Sequence, residues 1–233
     1  MSLHPDPAEL HPSRAGQPPS RERFRQPWFA YVHRLATPAK WLAALLVAAL
    51  LLGWVIGLAL PATIDFVDVE HPLEATPAEI FPLLDSRAGQ QRLWTRAWER
   101  SGGQSVPPMK LADLGGPRAG IGTRIGYYPD GDRLGSFAGL LSTLARGEGV
   151  ITESIANERV EYRIDFGFVI AHRAVSLHAL DARYTKARWV EQLHFPNPLA
   201  RWLQLAIGES ANENFRILLI SAEDVAAESR TPG

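Results

Sequence analysis

The 233-residue chain contains no cysteine. That excludes a disulfide framework, a thiolate metal site and a cysteine nucleophile, so any exported part is held together by its core alone. An excess of charge of one sign is also lacking, because 24 basic and 25 acidic residues leave a net charge of −1. A strongly electrostatic nucleic-acid binder is thereby excluded. Residues 62–233 carry 18 basic and 22 acidic side chains, a mixed surface with no stripe for phosphates, so no nucleic-acid partner is expected. Lysine is scarce, 3 residues against 21 arginines, a compositional habit without mechanistic weight. No nucleophile elbow, phosphate loop, zinc-helix signature or paired metal-ligand motif occurs, and neither a cofactor nor a metal is expected. What is present, 46% hydrophobic and 21% charged residues, suits one ordinary domain with some extra chain and excludes a mainly disordered protein.

Trp41 to Leu60 is a 20-residue run, WLAALLVAALLLGWVIGLAL, without a charge or a proline. At 1.5 Å per residue it spans about 30 Å, one hydrocarbon core, and no face of it is polar. The run therefore predicts a transmembrane helix over residues 41–61, with Lys40 before it, Pro61 ending it, and Trp41 and Trp54 suited to the interfaces. A cleaved signal peptide is the rival reading, but the polar leader is too long and Gly57-Leu58-Ala59 is a weak cleavage site, which favours an uncleaved anchor.

Arg14, Arg21, Arg23, Arg25, Arg34 and Lys40 precede the run, whereas Asp65, Asp68, Glu70 and Glu74 follow it before the next basic residue, Arg87. By the positive-inside rule the amino terminus is cytoplasmic and the carboxyl-terminal domain extracytoplasmic, periplasmic if the membrane is a Gram-negative inner membrane. Residues 1–40 read as a flexible leader rich in proline and arginine. Its Phe24, Trp28, Phe29 and Tyr31 either graze the membrane surface or are simply solvated.

The domain over 62–233 begins with a strand, Thr63–Val69, of imperfect alternation. Thr76-Pro77-Ala78-Glu79 then has the composition of a helix start, and Pro82 divides the stretch to Trp98 into two short helices. Strands follow at Met109–Leu114, Gly122–Tyr128, Gly149–Ile155, Glu158–Phe166, Phe168–Leu180 and Tyr184–Phe195. Asn197-Pro198 caps a final helix from Leu199 to about Glu223, with Leu199, Leu203, Ala206, Ser210, Ile217 and Ile220 on its apolar face. This order calls for an α+β fold with a curved antiparallel sheet wrapped against the last helix.

The domain resembles the START-like, Bet v 1-like superfamily of polyketide cyclase/dehydrase type (SRPBCC). The residues that carry the resemblance are Thr76-Pro77-Ala78-Glu79-Ile80-Phe81, Gly120-Ile121-Gly122-Thr123, Gly147 to Ser154, Asn157-Glu158-Arg159-Val160, Tyr184-Thr185 leading to Trp189, and Asn197-Pro198 to Arg201, in that order. The resemblance implies a helix-grip fold enclosing an apolar cavity. Two departures stand out: Trp94 and Trp98 replace the family's single tryptophan, and Pro129 to Arg146 is an insertion. With Leu134, Phe137, Leu140, Leu141 and Leu144 at near-helical spacing, that insertion is either a lid or bilayer contact, or a helix closing an edge of the core.

Strand phase turns Trp189 inward, and with it Glu191, a candidate acid or base. The alternative is that the strand has ended there and Glu191 is solvated. Trp94, Tyr127, Tyr162 and Trp189 are candidate pocket walls, equally explained as core. Ser210 and Asn214 on the last helix are candidates to bind a ligand's polar group or to cap a water-filled cavity. His172 and His178 should face away from the core, and the scattered histidines are not at metal spacing. The leading functional expectation is a membrane-anchored domain binding an apolar or lipid-like small molecule. A cyclase-, dehydratase- or hydrolase-type enzyme and a non-catalytic interaction protein of a membrane complex, its protein partner unknown, are the alternatives.

Overall fold

The computed structural model describes residues 28–103, 106–130, 146–205 and 211–230, with side chains from residue 40 onward. By its internal contacts the chain forms two compact units, Met1–Leu50 and Leu51–Gly233. Helix α1, Trp28–Ala59, begins inside the stretch expected to be flexible leader and ends one residue short of the apolar run. Within it Lys40–Ala59 is long and apolar enough to cross a membrane, and Trp41, Leu45, Leu50 and Leu51 are all exposed.

The domain runs β1 (Thr63–Leu73), α2 (Pro77–Leu84), α3 (Arg87–Arg100), β2 (Met109–Asp113), β3 (Arg124–Pro129), β4 (Gly147–Ile155), β5 (Arg159–Asp165), β6 (Ile170–Ala179), β7 (Thr185–His194), a 3-10 turn (Ala200–Leu205) and α4 (Ala211–Arg230). The strands form one seven-stranded antiparallel sheet in the order β1-β7-β6-β5-β4-β3-β2. The later strands form a meander, and β1 joins at its far edge beside β7. Helix α4 packs against β1, α2 and α3, so the sheet grips it in the helix-grip arrangement.

Local chemistry explains the element ends. Glu79 reaches back to accept from the Thr76 backbone N–H at 2.7 Å, and Pro77 occupies the first helical position, as the motif predicts. The break between α2 and α3 falls at Asp85 and Ser86, where the Ser86 hydroxyl accepts from the Gly89 N–H at 3.1 Å. The imperfect alternation of β1 is a bulge: pairing with β7 slips between Asp65 and Val67, so Ile64 and Phe66 pack on the core before the slip and Val67 and Val69 after it.

The last helix departs from expectation. Ala200–Leu205 is not α-helix but a 3-10 segment with no buried residue, and α4 is described from Ala211, running beyond Glu223 to Arg230. Its buried stripe is Ala211, Phe215, Leu218, Leu219, Ala222, Val225 and Ala226, whereas Ile217 and Ile220 are only half-buried. An apolar face extrapolated from Leu199 assumed one unbroken helix and so carried the wrong phase. Residues 131–145 of the expected insertion, and Ser210, lie outside the described residues.

Candidate functional site

Alternation along β6 and β7 decides what faces α4. On β7, Thr185, Ala187, Trp189, Glu191 and Leu193 point inward, and on β6 so do Ala171, Arg173, Val175 and Leu177. Arg173 and Glu191 stand opposite one another in the register of the two strands. The Arg173 Nε donates to Glu191 Oε2 at 2.6 Å, with both side chains at most 6% exposed. Glu191 is thus buried and paired, and its reading as a solvated strand-end group is overturned: β7 continues to His194, so the inward phase still holds at Glu191. His172 and His178 face outward and are exposed, as their phase predicts.

Aromatic rings surround the pair. The guanidinium carbon of Arg173 lies 5.0 Å from the Trp189 ring centroid and 5.5 Å from that of Phe215. Trp189 and Phe215 lie 5.2 Å apart with a tilt of 49°, and Phe66 meets Phe215 edge-on at 6.3 Å. Burial pulls the Arg173 pKa down, but the Glu191 charge and the nearby phenol of Tyr127 outweigh it and leave the guanidinium above its ordinary value.

Tyr127 and Tyr162 are buried on the same face, yet their polar tips are already engaged. The Tyr127 hydroxyl donates to Gln90 Oε1 at 2.7 Å, while Gln90 Nε2 and the Tyr162 hydroxyl both donate to the Leu84 carbonyl, at 2.9 Å and 2.7 Å. That carbonyl ends α2, so the two phenols help to fasten the α2–α3 corner to the sheet. Burial pushes the Tyr127 pKa up to about 12 and that of Tyr162 well above the ordinary phenol value. Both therefore remain neutral donors.

Trp189 differs from them. It is 2% exposed, and its indole Nε1 has no hydrogen-bond partner among the described residues. Trp94 is buried on α3, within the hydrophobic core. Asn214 is only half-buried and sits beside the α4 stripe rather than on it, a consequence of the corrected helix phase. Structure thus brings together Tyr127, Tyr162, Trp189 and Glu191 and adds Arg173, Gln90 and Phe215, which sequence reasoning missed. The signal for Arg173 was available in the same alternation that placed Val175 and Leu177 in the core.

A recess of about 360 Å³ lies on the outer face of the sheet among Arg159, Glu161, His172 and Gln192, and a broader one of about 900 Å³ lies at the β4–β5 turn beside Ser176 to Ala179. Neither lies between the sheet and α4. Among the described residues no group of His, Cys, Asp and Glu is arranged to hold a metal ion.

No protein-family model matches the chain, and no curated protein matches it. Several solved structures are similar to parts of the chain. Norcoclaurine synthase from Thalictrum flavum, in complex with dopamine and hydroxybenzaldehyde, is 9% identical with a TM-score of 0.47, covering 73% of this chain and 91% of that one. Ara h 8.0201 is 14% identical with a TM-score of 0.42, covering 71% and 99%. A conserved protein from Geobacillus kaustophilus is 13% identical with a TM-score of 0.45, covering 69% and 93%.

Proposed function

We propose that this chain is a START-like binding module, anchored in a membrane by Lys40–Ala59, that takes up an apolar or lipid-like small molecule carrying one hydrogen-bond acceptor. The single observation behind this reading is the Trp189 Nε1–H, buried without an acceptor among the described residues in an interior where the donors of Tyr127, Tyr162 and the Arg173 Nε are used. Leaving such a donor unmet costs about 1–3 kcal/mol, which a ligand oxygen would recover. Trp189, Phe215 and Phe66 offer ring faces to an apolar body, and Arg173 with Glu191 supplies a fixed polar pair beside the indole. Entry requires the Phe215 ring to move off Trp189. Anchoring raises the local concentration of any ligand that comes from the bilayer, and the arginine-rich segment before the run supports a cytoplasmic amino terminus with the domain on the opposite side.

The test is native mass spectrometry of the full chain released from detergent, before and after organic extraction and after addition of a membrane lipid extract. An extractable adduct is expected, and Trp189→Phe, which keeps the ring and removes the N–H, should weaken its binding roughly tenfold, the equivalent of about 1.4 kcal/mol. An apo mass unchanged by the lipid extract would sink the proposal.

A further inference from the structure

We propose that Pro198–Leu205 is a second membrane contact, lying in the lipid leaflet at the carboxyl-terminal end of α1. The proposal rests on the reading that Lys40–Ala59 spans a bilayer.

Three contacts tie this segment to the end of that helix. Gly57 meets it backbone to backbone, since a Cβ there would stand 2.1 Å from the Pro198 carbonyl oxygen. The Trp202 indole Nε1 donates to the Gly53 carbonyl at 2.9 Å. Arg201 Nη1 donates to the carbonyls of Gly57 at 3.3 Å and Leu60 at 3.1 Å, so its cation sits where the last carbonyls and the negative end of the helix dipole accumulate.

These bonds set a depth. Gly53 lies six residues before the helix end at Ala59, which at 1.5 Å per residue is about 9 Å along the axis. If the span is in lipid, the Trp202 ring lies below the membrane surface. Tryptophan and arginine are the residues that favour this interfacial level. The remaining side chains agree: Leu199, Trp202 and Leu203 are 38–40% exposed and Leu205 is 68% exposed, although none belongs to the hydrophobic core. In water this would be an unpartnered apolar patch. Beside Leu52, Val55 and Ile56, themselves exposed on α1, it continues the lipid-facing surface of the helix. The occupant that fits is the boundary between headgroups and acyl chains.

Because the chain has no native cysteine, single-cysteine variants of the full chain can be labelled cleanly. Leu205→Cys, Leu203→Cys, Leu46→Cys in the span and His178→Cys on the outer sheet face would each carry a nitrobenzoxadiazole dye. All would be reconstituted in phosphatidylcholine/phosphatidylglycerol vesicles containing acyl-chain spin-labelled lipid as quencher. Quenching at positions 205, 203 and 46 several-fold above that at 178 is the expected result. Quenching at 46 with positions 205 and 203 no better than 178 would overturn this inference and leave the anchor standing. Absence of quenching at 46 would remove the anchor and this inference together.

Discussion

Arg173 and Glu191 face each other across adjacent strands and share a 2.6 Å charge-assisted hydrogen bond inside the sheet's concave face. A buried pair of this kind is a poor source of net stability, because taking two charges out of water costs about as much as their attraction returns. Removing one partner is a different matter. Glu191→Gln should destabilise the domain by about 3–5 kcal/mol, whereas the double replacement Arg173→Met/Glu191→Leu should recover most of that loss. Urea unfolding of the detergent-solubilised chain measures both. A stable double variant that no longer takes up ligand would assign the pair to recognition rather than to folding.

The orientation of Glu191 was legible because Trp189 and Glu191 share one phase of a strand whose alternation is clean. Arg173 obeys the same rule on β6, but an arginine between Ala171 and Val175 is ordinarily assigned to solvent, and only its carboxylate partner on another strand makes burial tolerable. Such a partnership is fixed by strand register, which local pattern does not contain. The same limit applies to Gln90, whose role depends on Tyr127 and Leu84 arriving from other elements. The strands and the α2–α3 break were readable from turn residues and Pro82. The bulge at Phe66 and the 3-10 conformation of Ala200–Leu205 were not, since each shifts the phase without changing composition.

Tyr127 and Tyr162 predict an alkaline limit. A folded-state pKa raised above the unfolded value contributes stability that is complete below about pH 10, the ordinary phenol value, and is lost as pH rises through the folded value, about 12 for Tyr127. Ultraviolet titration should show the two buried phenols remaining silent until the domain unfolds. Ionisation of Tyr127 and Tyr162 near pH 10, the ordinary phenol value, in the folded state would contradict this.

At the acid end, the backbone N–H of Thr76 holds the Glu79 carboxyl below its ordinary range, against a smaller opposing effect of burial and with help from the Thr76 hydroxyl and Arg230. A depressed carboxylate contributes stability present above its unfolded pKa and lost as pH falls through the folded one. Glu79→Gln should therefore show a shallower loss of stability below about pH 4.3 than the parent chain. Parallel acid-titration curves by circular dichroism would count against the link.

Gly89 marks the closest approach of α2 and α3, where a Cβ would stand 2.2 Å from the Pro82 carbonyl oxygen. Gly89→Ala must separate the two helices, and overpacking of this kind costs about 1–3 kcal/mol in spite of alanine's better helix propensity. A lowered unfolding midpoint with unchanged helical content is the expected reading. A raised midpoint would mean that the corner yields without cost.

The place of β1 beside β7 also sets a timetable. Thr63 is bonded to His194 across 131 residues of chain, and β1 cannot pair with β7, its sheet neighbour among the described residues, until β7 has been made. At ordinary synthesis rates that interval is on the order of ten seconds. Throughout it the first strand, with Phe66, Val67 and Val69 uncovered, waits as an open edge. The meander β2 to β7 can assemble from neighbours as it emerges, so the pairing of β1 with β7, and then the docking of α4, whose Arg230 bonds to Glu74 across 156 residues, are the long-range events that complete the nascent domain.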